Sequence, residues 1–321
     1  MRIFFAGNIH IPHSSENSVV RQLVRENHEV IQFRYPTISG TDYNAVNKRL
    51  FALLKKERID LLIGAKCMGL SAELLKKIKV PKVSWVFDLF QGYTLWNRAK
   101  WYEEQATVWD CCFGPEGGQV DYYREKGINY HHLKCGADPI WHKKSPYDPA
   151  FEPYKCDVSF LGGLYNPLRI NMASRVRCIT NMDFKNFVGY EVNNQMIPGM
   201  YMEDISKFAN VCKISIGCNY ANNIPGYWSK RIYELMGSNM FMINAWVEGM
   251  EKEGFSKKNT GLFFNDDFDE MVEQIEYYLK PENEDERNKI REAGYQLVHK
   301  SHMMANRTES FFRTLKKEGV I

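Results

Sequence analysis

The sequence predicts an α/β protein of two domains, each built around a parallel sheet. The chain has 321 residues, more than a single domain usually holds, so two domains of about 150 residues are expected. Short apolar runs alternate with segments of helical periodicity along nearly the whole chain. Strands separated by helices in this way form parallel sheets with right-handed crossovers. A proline-rich stretch interrupts the alternation once, near the middle.

The first half opens with the strand, glycine loop and helix that begin a nucleotide-binding α/β domain. An apolar run over 3–6 ends at Gly7, and 14–27 then carries apolar residues at helical spacing. The alternation continues in the same way. Further strands are predicted at 29–35, 59–65, 82–87, 109–113 and 130–134, and further helices at 43–56, 71–77, 94–105 and 118–126.

The pattern restarts after the proline-rich stretch, within which the interdomain linker is placed at 143–154. The domains are therefore expected at 1–142 and 155–300, followed by a C-terminal helix over 301–321 that is considered to pack back on the first domain. Strands of the second half are predicted at 158–161, 186–188, 213–217, 240–244 and 261–264, and helices at 166–179, 202–210, 229–237, 268–279, 284–300 and 303–317.

Composition excludes few classes of function. A net charge of +3 among 42 basic and 39 acidic residues neither requires nor excludes a nucleic acid partner. The eight cysteines show no C-x-x-C and no zinc spacing with histidine, so reduced core thiols and a cytoplasmic location are expected. No signal-peptide pattern opens the sequence, and no apolar run approaches the length of a membrane span. The protein is therefore expected to be soluble.

The segment 226–239 carries the densest group of polar residues that suit a ligand. Ser229 reads as an N-cap, and Lys230 and Arg231 then lie in the first turn of a helix, where a phosphate is favoured. Glu234 lies one turn later, where its carboxylate suits the vicinal hydroxyls of a ribose. The alternative is that Lys230 and Glu234 form an ordinary i,i+4 pair, worth about 0.2–0.5 kcal/mol on a solvated helix face.

Two loops that follow predicted strands of the second half carry further candidates, because ligands of parallel sheets bind at the carboxyl ends of strands. Gly162 and Gly163 allow a diphosphate to approach the backbone, and Arg169 in the next helical turn could neutralise it. Asn219 and Tyr220 follow the strand at 213–217. The alternative for the first loop is a glycine turn with a surface arginine. Rings beside these loops could stack on a base or sugar: Tyr220, Tyr227 and Trp228.

The equivalent loops of the first half offer His10, His13 and Asp88. A group transfer to a hydroxyl requires removal of the acceptor proton, so these are candidate bases or acceptor-binding groups. A histidine in a loop is more often a solvated or capping residue. Asp88 directly follows a buried strand and therefore points toward the ligand edge of the sheet.

Two motifs resemble the CgeB-like glycosyltransferases, relatives of the family 1 and family 4 glycosyltransferases. The first is Ser-x-Arg-Ile-Tyr-Glu-Leu-x-Gly at 229–237, followed by an apolar strand and Val-Glu-Gly-Met at 247–250. The second is Asp-Val-x-Phe-x-Gly at 157–162, followed by Arg169. The resemblance implies the GT-B architecture, in which two Rossmann-like domains face a cleft, with the donor on the second domain and the acceptor on the first.

The resemblance implies transfer of a sugar from a nucleotide-diphosphate sugar, with no other cofactor, to a glycan, protein or small-molecule acceptor. Asp88 and His10 would serve as base or acceptor group, and Arg169 and Lys230 would stabilise the leaving diphosphate. The donor would be bound by Gly162, Gly163, Asn219, Tyr220, Ser229, Arg231 and Glu234.

One position departs from the retaining family 4 pattern, which has two glutamates separated by seven residues. If Glu234 is the second, the first is replaced by Gly226. No metal-binding Asp-x-Asp is present, and Asp266-Asp267 is interpreted as a helix cap, so a metal-independent enzyme is expected. The alternatives are a non-catalytic protein that binds sugar nucleotides or glycans, a sugar-nucleotide epimerase, and a DNA-base glycosyltransferase. Lysine runs of the first half that suit DNA lie on predicted solvated helix faces, so nucleic acid ranks below the other acceptors.

Overall fold

The computed structural model describes residues 1–36, 40–89, 98–164, 166–187, 190–192, 195–197, 199–264 and 266–321. The chain divides into two compact units. The first comprises Met1–Cys135 and Met304–Ile321, and the second comprises Gly136–Met303.

The boundary between the units differs from the predicted linker at 143–154, because those residues pack into the second unit. Asp148 caps a 3-10 helix over Pro149–Tyr154, and the prolines that suggested a linker stand at its start and inside it. Phe151 from this helix is buried in the second unit's core. The proline content therefore marks a capped 3-10 turn rather than a free connection.

The first unit is a six-stranded parallel sheet in the order β2-β1-β3-β4-β5-β6. Its strands are β1 (Arg2–Gly7), β2 (Glu29–Arg34), β3 (Leu61–Gly64), β4 (Lys82–Trp85), β5 (Cys111–Gly114) and β6 (Tyr130–His132). Its helices are α1 (Ser15–Arg25), α2 (Tyr43–Lys56), α3 (Ala72–Lys76), α4 (Arg98–Ala106), α5 (Val120–Glu125) and, from the end of the chain, α11 (Met304–Lys317). The predicted start of α4 at 94–97 lies outside the described residues.

Local sequence explains these elements. Ser14, Asp42 and Ser71 each accept a backbone N–H at the start of a helix, which is the usual N-cap interaction. All four residues of β3 and of β5 are buried, as expected for a parallel sheet covered on both faces. On one face α11 packs beside α1, with the Phe311 ring stacked on Trp85 at 4.8 Å between centroids.

The second unit contains a five-stranded parallel sheet in the order β8-β7-β11-β12-β13 and a separate antiparallel hairpin. The strands are β7 (Cys156–Leu161), β8 (Phe184–Phe187), β11 (Cys212–Gly217), β12 (Met242–Ala245) and β13 (Gly261–Phe263), and the hairpin pairs β9 (Tyr190–Val192) with β10 (Gln195–Ile197). The helices are α6 (Pro167–Arg177), α7 (Glu203–Phe208), α8 (Arg231–Gly237), α9 (Phe268–Leu279) and α10 (Glu284–Ser301).

Most element types agree with the predictions, and two differences matter. The hairpin β9–β10 was not predicted. Helix α8 begins at Arg231, and Lys230 rather than the predicted Ser229 stands at its N-cap position, although Ser229 Oγ accepts the Arg231 N–H at 3.3 Å. No helix in the described part of the chain is both long enough and apolar enough to span a membrane. All eight cysteines are free thiols, and seven of them are buried.

Candidate functional site

The second sheet has a topological switch point at the carboxyl ends of β7 and β11, where a binding crevice is expected. β7 lies between β8 and β11, so the chain leaving β7 crosses toward one side of the sheet and the chain leaving β11 crosses toward the other. Such a switch point is where open α/β sheets bind ligands. Four predicted donor residues, Gly162, Gly163, Asn219 and Tyr220, lie in the two loops that begin there.

The guanidinium of Arg231 lies against the end of β7. Its Cζ stands 5.1 Å from the centroid of the Phe160 ring, at a distance typical of a cation–π contact. A Cβ on Gly162 would come within 2.5 Å of Arg231 Nη2, a distance that real Cβ atoms do not reach. A side chain at position 162 would therefore displace the Arg231 guanidinium from its present place.

Arg169 lies under the same loops and is only 3% exposed. Its Nε donates to the Cys218 carbonyl at 3.2 Å and its Nη1 to the Gly163 carbonyl at 3.3 Å. Its Cζ also lies 5.7 Å from the Phe160 ring centroid. Arg169 thus ties together the two loops of the crevice, and two of its N–H groups are directed at backbone carbonyls.

Asn219 joins the second loop to the start of α8. The residue is 2% exposed, and its Oδ1 accepts the Ser229 N–H at 2.8 Å. Its Nδ2 is buried and makes no hydrogen bond to any described residue. The carbonyl of Tyr220 accepts from Asn166 Nδ2 at 3.1 Å, which connects the two loops a second time. These bonds fix the backbone that lines the crevice.

Lys230 and Glu234 form an ion pair on α8, with Nζ and Oε1 separated by 2.6 Å. The Glu234 side chain is 16% exposed. Burial alone would raise the pKa of this carboxyl, but the charges of Lys230, His142 and Arg231 outweigh it and hold the pKa below the ordinary glutamate value. Glu234 is therefore ionised at neutral pH and able to accept hydrogen bonds.

Two residues of this region were missed by the sequence analysis. Phe160 was assigned only to the apolar strand, yet its ring lies beside both guanidinium groups. His142 is buried close enough to Glu234 to affect its pKa, and its Nδ1 accepts the Asp138 N–H at 2.8 Å. No local pattern indicates either role. Phe160 and Arg231 are 71 positions apart in the sequence, and His142 was placed in the predicted first domain, away from the donor residues.

Two further positions bear on the predictions for this segment. Gly226 has a φ of 74°, in the left-handed region where a glutamate is strained, so the local backbone favours glycine at the position of the first family 4 glutamate. The Trp228 ring is not available for stacking on a ligand. It is 3% exposed, and its Nε1 donates to the Tyr233 hydroxyl at 2.9 Å inside the core.

The candidate acceptor residues lie in the first unit, also near a switch point. β1 lies between β2 and β3, and His10 and Lys66 follow β1 and β3. Asp88 follows β4 and forms an ion pair with Lys66, and its side chain is 43% exposed. His10 is exposed. No contact within the described part of the chain joins His10 to Asp88.

The described residues contain no group of three or more histidine, cysteine, aspartate or glutamate side chains placed to hold a metal ion. Of the Asp266-Asp267 pair, Asp267 caps α9, since its Oδ1 accepts the N–H groups of Asp269 and Glu270 at 3.0 and 2.9 Å. Its role as a helix cap is therefore confirmed.

Comparison with protein families gives a match to one segment of the chain. The model described as glycosyl transferase-like matches residues 166–313, which include α6, the loop after β11 and all of α8. This segment is therefore similar to a glycosyltransferase domain. Gly162 and Gly163 precede the match, and Arg169, Asn219, Arg231 and Glu234 fall inside it. No curated protein matches the chain significantly.

Solved structures similar to the whole chain are also glycosyltransferases. HepE of Anabaena, crystallised with UDP and glucose, has 12% identity and a TM-score of 0.73 over 99% of this chain and 100% of its own. Sucrose-phosphate synthase of Thermosynechococcus elongatus has 10% identity and a TM-score of 0.70 over 99% and 100%. An alpha-glucosyltransferase with UDP and a 13-mer DNA has 11% identity and a TM-score of 0.69 over 98% and 99%. The predicted GT-B fold is therefore confirmed, and the family match to residues 166–313 agrees with the predicted enzyme class.

Proposed function

We propose that the protein transfers a sugar from a nucleotide-diphosphate sugar to an acceptor hydroxyl, and that the donor binds in the crevice of the second unit. The observation that carries the proposal is the guanidinium of Arg231, held over Phe160 and against Gly162 at the carboxyl end of β7. A partly exposed cation at a switch point is placed to pair with a diphosphate.

The surrounding groups divide the work of binding and catalysis. Arg231 and Lys230 would neutralise the charge that the diphosphate gains as the glycosidic bond breaks, which stabilises the transition state. Glu234 would accept hydrogen bonds from the ribose hydroxyls. Arg169, already bonded to two carbonyls, would hold the loops in place and add positive charge beneath them. Asn219 would keep the start of α8 in position through Ser229.

The donor is proposed to be a UDP-sugar. HepE has been crystallised with UDP-glucose, and the alpha-glucosyltransferase with UDP. The crevice has its cations on α8 and its carboxylate one turn later on the same helix, an order that suits a diphosphate followed by a ribose. The free thiols further support a cytoplasmic protein.

The acceptor is proposed to be a glycan, protein or small molecule bound by the first unit. Asp88 is the candidate base, because its carboxylate is partly exposed at the carboxyl end of β4 and is held by Lys66. His10 is a second candidate. The transfer is proposed to need no metal ion, since the cations of α8 can supply the positive charge that a metal would otherwise provide. Activity that survives EDTA would support this, and its abolition would contradict it.

The test is a titration of the purified protein with nucleotide sugars, followed by analysis of the products. We expect UDP-glucose or another UDP-sugar to raise the melting temperature, since a ligand at one hundred times its Kd stabilises by about 2.7 kcal/mol. Donor turnover into a glycoside or free sugar would support a transferase. Binding without any turnover would favour a non-catalytic binding protein, and conversion to an isomeric sugar nucleotide without an acceptor would favour an epimerase.

A DNA acceptor is the second candidate, favoured by the similarity to an alpha-glucosyltransferase that was crystallised with DNA containing an HMU base. The test is a filter-binding titration with duplex DNA at low and moderate salt. Contacts to several phosphates would give a log–log slope near −0.9 per phosphate neutralised. Tight binding with such a slope would place DNA above the other acceptors, and weak binding would leave it below them.

A further inference from the structure

A cavity lies at the opposite edge of the same sheet, at the amino ends of β7, β8 and β11. It has a volume of about 540 Å³ and is bounded by one face of α10. This volume falls within the range of small-molecule sites, which is about 300–1,000 Å³. Glu284, Arg287, Asn288 and Arg291 line it from α10, and their spacing of three to four residues places all of them on one side of that helix.

The acidic residues of the cavity already have basic partners. Asp157 Oδ1 lies 2.7 Å from Lys213 Nζ, and Asp157 Oδ2 accepts the Asp183 N–H at 3.1 Å. Glu284 lies 3.4 Å from Arg287 Nη2. Burial raises the pKa of Asp157, but Lys213, the Asp183 N–H and the charge of Arg287 together outweigh it and leave the pKa below its ordinary value. The Asp157 carboxylate is thus ionised and paired with Lys213, and Glu284 is paired with Arg287.

Two side chains of the cavity keep hydrogen-bond donors without acceptors among the described residues. Arg291 has no carboxylate within ion-pair distance and no hydrogen bond there, and Asn288 has none either. The pKa of Arg291 is held below its usual value by burial and by the charge of Arg287, and the carboxylates of Glu292 and Glu284 only partly oppose this. An anion beside Arg291 would relieve both effects.

We propose that this cavity is a binding site for a small phosphate-bearing anion, held by Arg291 and Asn288 with Arg287 behind them. A guanidinium and an amide provide the directed N–H donors that phosphate oxygens accept. The site is distinct from the donor crevice. β7 runs from Cys156 at the cavity to Leu161 beside Gly162, and its six residues span roughly 15–20 Å.

The proposal is tested by calorimetric titration with inorganic phosphate and with pyrophosphate, in a buffer free of other multivalent anions. The titration is done on the Arg231→Gln variant, which lacks one cation of the donor crevice. The quantity that tests the cavity is the further loss of affinity on its own substitutions, which does not depend on the proposed function. We expect saturable binding with a Kd of about 1 mM or lower. Adding Arg291→Gln should weaken it at least tenfold, and Asn288→Ala should weaken it by a smaller factor.

The matched control is Arg175→Gln, which also removes one arginine from the second unit. Arg175 is exposed on α6, is paired with Asp269 and does not line the cavity. Circular dichroism establishes that each variant is folded, and Asn288→Ala provides the test if Arg291→Gln is not. No saturable binding, or equal binding by the parent, Arg291→Gln and Asn288→Ala proteins, would overturn the proposal. Equal losses with Arg175→Gln would do the same, because they would indicate a general charge effect.

Discussion

Replacement of Glu234 by glutamine provides the sharpest test of the donor site. The change keeps the shape of the side chain and removes its charge, which Lys230 and Arg231 hold in the ionised form. A hydrogen bond to a charged acceptor contributes about 1.5–3 kcal/mol, so E234Q should weaken donor binding by about 10- to 150-fold. The folding cost should be smaller. Lys230 is 31% exposed, and partly exposed ion pairs contribute at most about 1 kcal/mol.

The assay is a calorimetric titration with UDP and with UDP-glucose, combined with thermal unfolding. The control is E292Q, which breaks a lysine–glutamate pair of nearly the same length, 2.7 Å, between Lys144 and Glu292 on the surface of the second unit. We expect E292Q to bind the donor as the parent does. If E234Q also bound it as the parent does, Glu234 would be only the i,i+4 partner of Lys230, and the assignment of the ribose site would be refuted.

Three further predictions concern the same crevice. R231Q and Lys230→Ala should each lower kcat by at least the factor by which they raise KM, because the leaving diphosphate gains charge in the transition state. Steady-state kinetics measure both constants, and a change in KM alone would mean that these side chains only bind the ground state. Gly162→Ala should displace the Arg231 guanidinium, whose Nη2 would lie 2.5 Å from the new Cβ, so donor affinity should fall as in R231Q. The double variant that combines Gly162→Ala with R231Q should bind the donor no more weakly than R231Q alone. Additive losses of donor affinity would show that Gly162 acts independently of Arg231. The pKa of Glu234 in the folded protein lies below the ordinary glutamate value of 4.5. The stabilisation that its ionised carboxylate provides is therefore fully present above pH 4.5 and is lost as the pH falls through the lower pKa of the folded protein. Affinity for UDP-glucose should therefore stay constant from pH 7 to about pH 5, and a loss that begins near pH 6 would contradict the assignment.

The element pattern could be predicted from sequence because it depends on local physics. Helices α2 and α9 begin and end where the predictions put them, since each is preceded by an aspartate that caps it. The hairpin of β9 and β10 escaped prediction because its strands have only three residues each, too few for an alternating pattern to be recognised.

The sequence by itself determined the two parallel sheets and the segment that carries the candidate donor site. Apolar runs of four to six residues that alternate with helical segments indicate buried strands, and 229–237 carries apolar residues at helical spacing behind a serine that suits an N-cap. These properties depend on neighbours a few residues apart, so they can be read directly from the chain.

Only the tertiary structure decided which groups act together. Arg231 reaches Phe160 and Gly162, Arg169 is turned toward the carbonyls of two loops, and His142 comes to lie near Glu234. The boundary at 135 and 136 likewise follows from packing, since the proline-rich stretch is capped and buried in the second unit. Contacts of this kind join residues tens of positions apart, and their formation depends on sheet order and side-chain packing, which no local pattern encodes.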